Sequence, residues 1–192
     1  MCHALLSDST LYKMLLEFDR DLAAKARAAG CSCGGVLHAA DYPRKPRGEP
    51  EGLPGEYRFR LSLCCALDGC RKRTTPPSMR FLGRRVYLAA VVVLATAMQG
   101  GITAKRAARL RELVGVSLRT LKRWRAWWRT QFIDSSFWKS ARGRFSPPVD
   151  VGALPASLLE RFSGEDERGK LIQTLAFLGP LTTTSPGKEA GS

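Results

Sequence analysis

The chain has 192 residues, 44% of them hydrophobic, which suffices for one domain or two small ones and excludes wholesale disorder. Its 31 Lys and Arg against 17 Asp and Glu leave a net charge of +14. That imbalance concerns partners rather than fold, and nucleic acid and anionic membrane are the two polyanions to weigh. The charge is concentrated. From Arg71 to Arg129 there are fifteen basic residues and one acidic residue, Glu112, while the rest of the chain carries sixteen of each sign. A basic block over a neutral remainder is the footprint of a nucleic-acid binder, with a solubility device as the bland alternative. The most hydrophobic run, Val86 to Met98, is thirteen residues long. A bilayer needs roughly 20, so the run predicts a buried helix and no membrane span. Met1-Cys2-His3 opens without a basic region leading into an apolar one. A cytoplasmic, nucleoid-associated setting with reduced cysteines is therefore expected.

Four segments are expected: an N-terminal amphipathic helix at 1–30, a cysteine module at 31–80, a basic helical unit at 81–133, and a C-terminal helical region with a disordered tail at 134–192. In the first, Leu11, Met14, Leu15, Phe18, Leu22 and Ala26 recur at three- and four-residue spacing, and Gly30 supplies a stop. In the second, Pro43, Pro46, Pro50 and Pro54 rule out a helix between Tyr42 and Gly55. Tyr57 to Leu63 alternates apolar and polar, as a half-exposed strand does. In the last, Leu154 to Phe162 and Leu171 to Leu178 read as short helices, and the Thr-, Ser-, Gly- and Pro-rich stretch after Thr182 reads as a disordered tail.

Five of the six cysteines, Cys31, Cys33, Cys64, Cys65 and Cys70, fall within forty residues, in two tight groups. Two short-spaced pairs joined by a loop is the layout of a zinc ribbon, in which zinc takes four thiolate or imidazole ligands in a tetrahedron. The intervening segment is too short and proline-rich to hold itself together, so a metal would supply the stability. Gly34-Gly35 and Gly69 suit the tight knuckles. The expected ligands to a structural Zn2+ are Cys31, Cys33, Cys65 and Cys70. Cys64 would then be a buried strand residue facing the other way. Cys64 in place of Cys65, and His38, are the alternatives. Cys31-Ser32-Cys33 has one intervening residue where two or more is usual. Unligated or redox thiols fit less well, because no C-x-x-C stands beside a βαβ pattern. Catalytic zinc fits less well too, because no suitably placed Glu follows a ligand.

Thr103 to Arg129 reads as helix, turn, helix. The first helix is expected from about Thr103 to Leu113, the turn at Val114-Gly115-Val116, and the second helix from Ser117, its cap, to about Arg129. Leu110, Val114, Val116, Leu121 and Trp124 would pack the two together, with the Val86–Met98 helix behind them and Gln99-Gly100-Gly101 breaking the chain between. The exposed face of the second helix offers Ser117, Arg119, Thr120 and Arg123 as base-reading candidates. Lys122, Lys105, Arg106 and Arg109 are candidates for phosphate contact. Arg111 stands where such a unit normally has a small residue. Trp127, Trp128, Phe132, Phe137 and Trp138 can stack on bases, but are expected to dock the C-terminal helices. A plain basic hairpin packing on a protein is the competing reading.

The run CSCGG-x-LH-x-ADYPRKPRG, then CC-x3-GCRKR-x-TPPS-x-RFLGRR-x-Y, then the two helices, resembles zinc-ribbon plus helix-turn-helix proteins of bacterial mobile elements, over roughly residues 20 to 130. The resemblance implies a mainly α protein with a small β zinc ribbon and a three-helix helix-turn-helix unit. It implies sequence-specific binding to double-stranded DNA, as a transposon-associated accessory factor or regulator that could meet a transposase. An enzyme is not expected. Only about sixty residues follow the DNA-binding part, Asp150, Glu160, Glu165, Asp166 and Glu167 look solvated, and two histidines leave no room for a Ser/His/Asp set. No small-molecule substrate is expected. RNA binding through Arg44, Lys45 and Arg47, or recruitment of an acidic protein, are the rivals.

Overall fold

The computed structural model describes residues 2–83, 85, 87–97 and 103–183. Among these are eight α-helices and a small antiparallel sheet. The helices are α1 (Cys2–Leu6), α2 (Ser9–Ala29), α3 (Ala89–Ala97), α4 (Ala104–Val114), α5 (Leu118–Trp127), α6 (Ser136–Ala141), α7 (Ala156–Leu159) and α8 (Glu167–Leu178). The strands are β1 (Leu37–Ala39), β2 (Tyr42–Pro43), β3 (Phe59–Arg60), β4 (Leu63–Cys65) and β5 (Arg73–Thr74). They pair antiparallel as β1-β4-β5 and as β2-β3. No described helix is long and apolar enough to cross a membrane.

The main core is built around α3. All nine of its residues are buried, as expected for a helix that is apolar all round, and α1, α5 and α8 pack on it. Val86 and Met98, the expected ends of this helix, lie outside the described residues, as do Gln99-Gly100-Gly101 and the tail from residue 184. Helix α2 starts where the Asp8 carboxylate accepts from the amides of Thr10 and Leu11, and it stops at Gly30. It buries Leu11 and Leu15 as its periodicity predicts, but also Tyr12, Leu16 and Asp19, while Met14, Phe18, Leu22 and Ala26 are half-buried. The C-terminal region closes the core. Leu171, Leu175 and Leu178 of α8 are buried in it, and Arg168 pairs with Asp8 at 3.0 Å. Helix α8 begins four residues before the expected Leu171, because Asp166 caps it through the Gly169 amide. The expected helix over Leu154–Phe162 is confined to α7.

The aromatic residues after α5 are structural. Trp128, Phe132 and Trp138 are fully or almost fully buried. With Trp127 and Phe137 they form a continuous ring cluster that reaches Phe145, Phe162 and Phe177. The Trp128 indole N–H donates to Thr96 Oγ1 on α3 at 2.9 Å, which satisfies its one polar atom.

The expected strand over Tyr57–Leu63 does not form as one piece. Gly55–Arg58 is a 3-10 turn, and two short strands, β3 and β4, follow it in separate pairings. The alternation is also overturned in burial, since Phe59 is 43% exposed and Arg60 is 2% exposed. The Arg60 guanidinium is drawn inward because it finds acceptors there, the Pro76 carbonyl and Thr182 Oγ1.

A second charge is buried more deeply. Asp19 on α2 and Arg80 form an ion pair at 2.8 Å with both side chains fully buried. Asp19 also accepts from the Ser78 hydroxyl and the Met79 amide, both at 2.6 Å. Arg80 also donates to the carbonyls of Tyr57 (2.8 Å) and Phe59 (2.9 Å), and lies 5.0 Å from the ring centres of Tyr57 and Phe81. The network clamps α2, the 3-10 turn and the segment after β5 to one another.

Candidate metal centre and nucleic-acid interface

Cys31, Cys33, Cys65 and Cys70 converge, with every sulfur within 4.8 Å of every other. The Cys31–Cys70 sulfurs are 3.8 Å apart and the Cys33–Cys65 sulfurs 3.5 Å. Four sulfurs at about 2.3 Å from a tetrahedral zinc lie roughly 3.8 Å from one another. The cluster is therefore close enough to hold a metal ion. Cys65 ends β4, and Cys31 follows the cap of α2. The other two sit on the knuckles that flank them.

Backbone amides point at three of the four sulfurs, yet the thiols are shifted in opposite directions. The amides of Cys33, Leu67 and Lys72 donate to the sulfurs of Cys31, Cys65 and Cys70, each two residues along the chain. Such donors orient and stabilise ligating sulfur. The Cys33 amide, with help from neighbouring thiols, draws Cys31 down to about 6. At Cys65 the Leu67 amide pulls downward, but burial and the adjacent thiols outweigh it and push the group up to about 12. Cys70 is likewise raised, against the Lys72 amide, by the Cys33 thiol and burial. Four thiols this close do not ionise together without a cation. Gly35 shows how tightly the cradle is made. A Cβ there would sit 2.6 Å from Cys65 Sγ and 3.4 Å from Cys33 Sγ.

The two alternative ligands stand apart. Cys64 and His38 are register partners on β4 and β1, facing away from the four sulfurs. Cys64 is half-buried rather than buried, because its thiol lies at the outer face against the Arg71 carbonyl at 3.4 Å. His38 is exposed. Among the described residues no other group of three or more metal-ligating side chains converges. Of the carboxylates near the C-terminus, Asp150 and Asp166 serve as caps.

The basic helices lie within a residue of the expected bounds except at the end of α5, which stops at Trp127 rather than Arg129 and runs on as a π-helical turn over Trp128–Phe132. The Thr103 hydroxyl caps α4 through the Arg106 amide. Gly115 ends α4 in the left-handed conformation (φ 66°), which favours glycine. Val116 and Ser117 complete the turn, and Ser117 Oγ accepts from the Thr120 amide at 3.2 Å to start α5. Val114 is thus the last helical residue rather than the first of the turn. Leu110, Val114, Val116, Leu121 and Trp124 are all buried between the helices and α3. Arg111 is exposed.

Ser117, Arg119, Lys122 and Arg123 are exposed on α5, and Lys105 and Arg109 on α4. Thr120 is half-buried, with its hydroxyl 3.0 Å from that of Ser117, and Arg106 is half-buried. Arg109 pairs with Glu112 at 3.2 Å, both being exposed. Sequence reasoning passed over Arg85 and Tyr87. The Tyr87 hydroxyl donates to the Gly115 carbonyl at 3.0 Å, and its ring meets Trp124 edge-on at 4.9 Å. Arg85 lies over the Trp127 ring at 4.2 Å. Its only sequence signal is membership of the basic run.

No protein-family model, curated protein or solved structure matches the chain.

Proposed function

We propose that this protein binds double-stranded DNA sequence-specifically through α4 and α5 acting as a helix-turn-helix, with a structural zinc held by Cys31, Cys33, Cys65 and Cys70. The observation that carries the reading is the pairing of two capped helices across the Gly115 turn, with Ser117, Arg119, Lys122 and Arg123 exposed on the second. The N-terminal residues of a recognition helix contact base edges. Arg119 and Arg123 are suited to guanine, Ser117 to bases or phosphates, while Lys122, Lys105, Arg106 and Arg109 neutralise phosphates. In this reading the protein is a transposon-associated accessory factor or regulator, not an enzyme.

Four thiolates saturate a tetrahedral zinc and leave no open position for substrate. Its chemistry would be structural, joining the loop around Cys31 to the end of the central strand β4 at Cys65 and the turn after it at Cys70. The rival RNA reading relies on Arg44, Lys45 and Arg47. Arg44 is already engaged, donating to the carbonyls of Gly83 and Arg85 at 3.4 and 2.9 Å.

The test is zinc content of the purified protein, with duplex affinity measured on the same sample at two salt concentrations. About one zinc per chain and an affinity that falls steeply with salt are expected. Arg119→Ala should then reduce discrimination between duplex sequences. Absence of metal, or of duplex binding at low salt, would sink the proposal, and preferential binding of single-stranded RNA would replace it.

A further inference from the structure

The basic face of α5 does not end with the residues that read bases. Arg119, Arg123 and Trp127 follow one another at four-residue spacing and so share one face of the helix. From Arg119 to Trp127 is roughly 12 Å along the axis at 1.5 Å per residue, comparable to the roughly 12 Å width of the major groove. A helix whose N-terminal end reads bases thus brings its C-terminal end to the phosphate wall.

At that end a second chain segment contributes a cation. Arg85 lies over the Trp127 ring at 4.2 Å. The ring is itself backed by the buried Trp128 and Phe132, at 4.7 and 5.5 Å between centres, so the platform is rigid. Arg44 holds the segment from below by donating to the carbonyls of Gly83 and Arg85. Arg123 lies one helical turn before Trp127 on α5, near enough for its charge to bear on Arg85, and none of the ion pairs among the described residues involves either. Two like charges that act on each other without an acid, one of them half-buried, are unfavourable alone and are relieved by an anion. Burial, and then the charge of Arg123, pull the Arg85 guanidinium down to about 10, which still leaves it charged at neutral pH. Arginine on an aromatic face keeps its fork of donors for phosphate oxygens.

We propose that Arg85, seated on Trp127, and Arg123, one helical turn before that ring, clasp one backbone phosphate of the duplex, which takes Arg123 out of the base-reading set and leaves Ser117 and Arg119 in it. The proposal rests on the DNA-binding reading above and adds a contact from outside the two helices.

The test compares native protein with Arg85→Gln, Arg123→Gln and Arg85→Lys, titrating a labelled mixed-sequence DNA duplex over a salt series. Each Gln variant should show a shallower slope of log affinity against log salt, by up to the roughly 0.9 that one phosphate contributes, so that between 50 and 200 mM salt it loses up to roughly threefold less affinity than native. Arg85→Lys should restore the slope. Trp127 is half-buried whereas Trp124, Trp128 and Trp138 are buried. Duplex should therefore change the tryptophan fluorescence of native protein and leave that of Trp127→Phe nearly unchanged. Native slopes in both Gln variants, with Arg119→Ala still weakening duplex binding, overturn the phosphate clasp and leave the DNA reading intact. Native protein without salt-dependent duplex affinity overturns both.

Discussion

Asp19→Ala should be the most destabilising single change outside the cysteine cluster. The carboxylate is 1% exposed and accepts from the Ser78 hydroxyl, the Met79 amide and Arg80 Nε, all at 2.6–2.8 Å. Its removal leaves the Arg80 guanidinium buried, with two carbonyls as its remaining acceptors and no opposite charge. Breaking a buried pair from one side costs about 3–5 kcal/mol, a large share of the roughly 5–15 kcal/mol that a domain has. Replacing both partners with apolar residues behaves differently. Asp19→Leu with Arg80→Met removes the stranded charge but still orphans the carbonyls of Tyr57 and Phe59, at about 1–3 kcal/mol each where water cannot reach them. The double variant should therefore lose clearly less than the two single changes summed, yet remain below native. Urea unfolding of the zinc-loaded protein, followed by tryptophan fluorescence, gives all four corners of the cycle. A loss under about 1 kcal/mol for Asp19→Ala, or strict additivity in the double variant, would refute the reasoning.

Gly35→Ala places a methyl group against Cys65 Sγ. Under the zinc reading it should weaken metal binding roughly tenfold or more, read by competition with a chromophoric chelator; native affinity would show that the cradle yields. Under the zinc reading, chelation of the metal should loosen residues 31–40 and 61–75 in hydrogen exchange while the near-UV signal of the aromatic cluster persists, because Cys31, Leu37, Leu63 and Cys65 form a small core separate from the main one, to which Leu53 and Tyr57 belong. Loss of both signals together would contradict that separation. Ser117→Ala removes the α5 cap and should cost about 1 kcal/mol in thermal or urea unfolding. Ser117→Asp should recover most of it, and indifference to both changes would mean that α5 is held by packing alone.

The parts legible in the sequence are those whose causes are local. Thr103, Gly115 and Ser117 each act within four residues, so both ends of α4 and the start of α5 follow from the letters alone, whereas the end of α5, which passes into a π-helical turn at Trp128, does not. Leu110, Leu121 and Trp124 follow from helical spacing. The four sulfurs were identifiable because glycines flank them and because neighbouring strand residues face opposite ways, which separates Cys64 from Cys65. What escaped was charge inside the fold. Alternation from Tyr57 to Leu63 predicts Arg60 outside, but a guanidinium goes where acceptors are, and those belong to Pro76 and Thr182. Asp19 lies on the buried side of α2 because its partner, 61 positions later, satisfies it there. No window of sequence holds both residues. Arg85 escaped for the same reason, since the ring beneath it belongs to another helix.

These long-range contacts tie the cysteine-containing half to the basic helices. The amide of Leu88 donates to the Arg47 carbonyl at 3.2 Å, and Arg47 and Tyr87 bridge as strand residues do. Gly48 is pressed so closely that a Cβ there would lie 2.9 Å from Val91 and 3.4 Å from Val114. Tyr87 then reaches onward, with its hydroxyl on the Gly115 carbonyl and its ring on Trp124. The turn that sets the angle between α4 and α5 is thus braced by residues immediately before α3. They are in turn braced by the loop between β2 and β3. Interiors packed to this density pass displacement on rather than absorb it. Under the DNA-binding reading, disorder in the 42–60 loop would therefore reach the recognition helix through Tyr87, and a metal that stabilises the strands flanking that loop would help to hold the helix at its working angle without touching DNA.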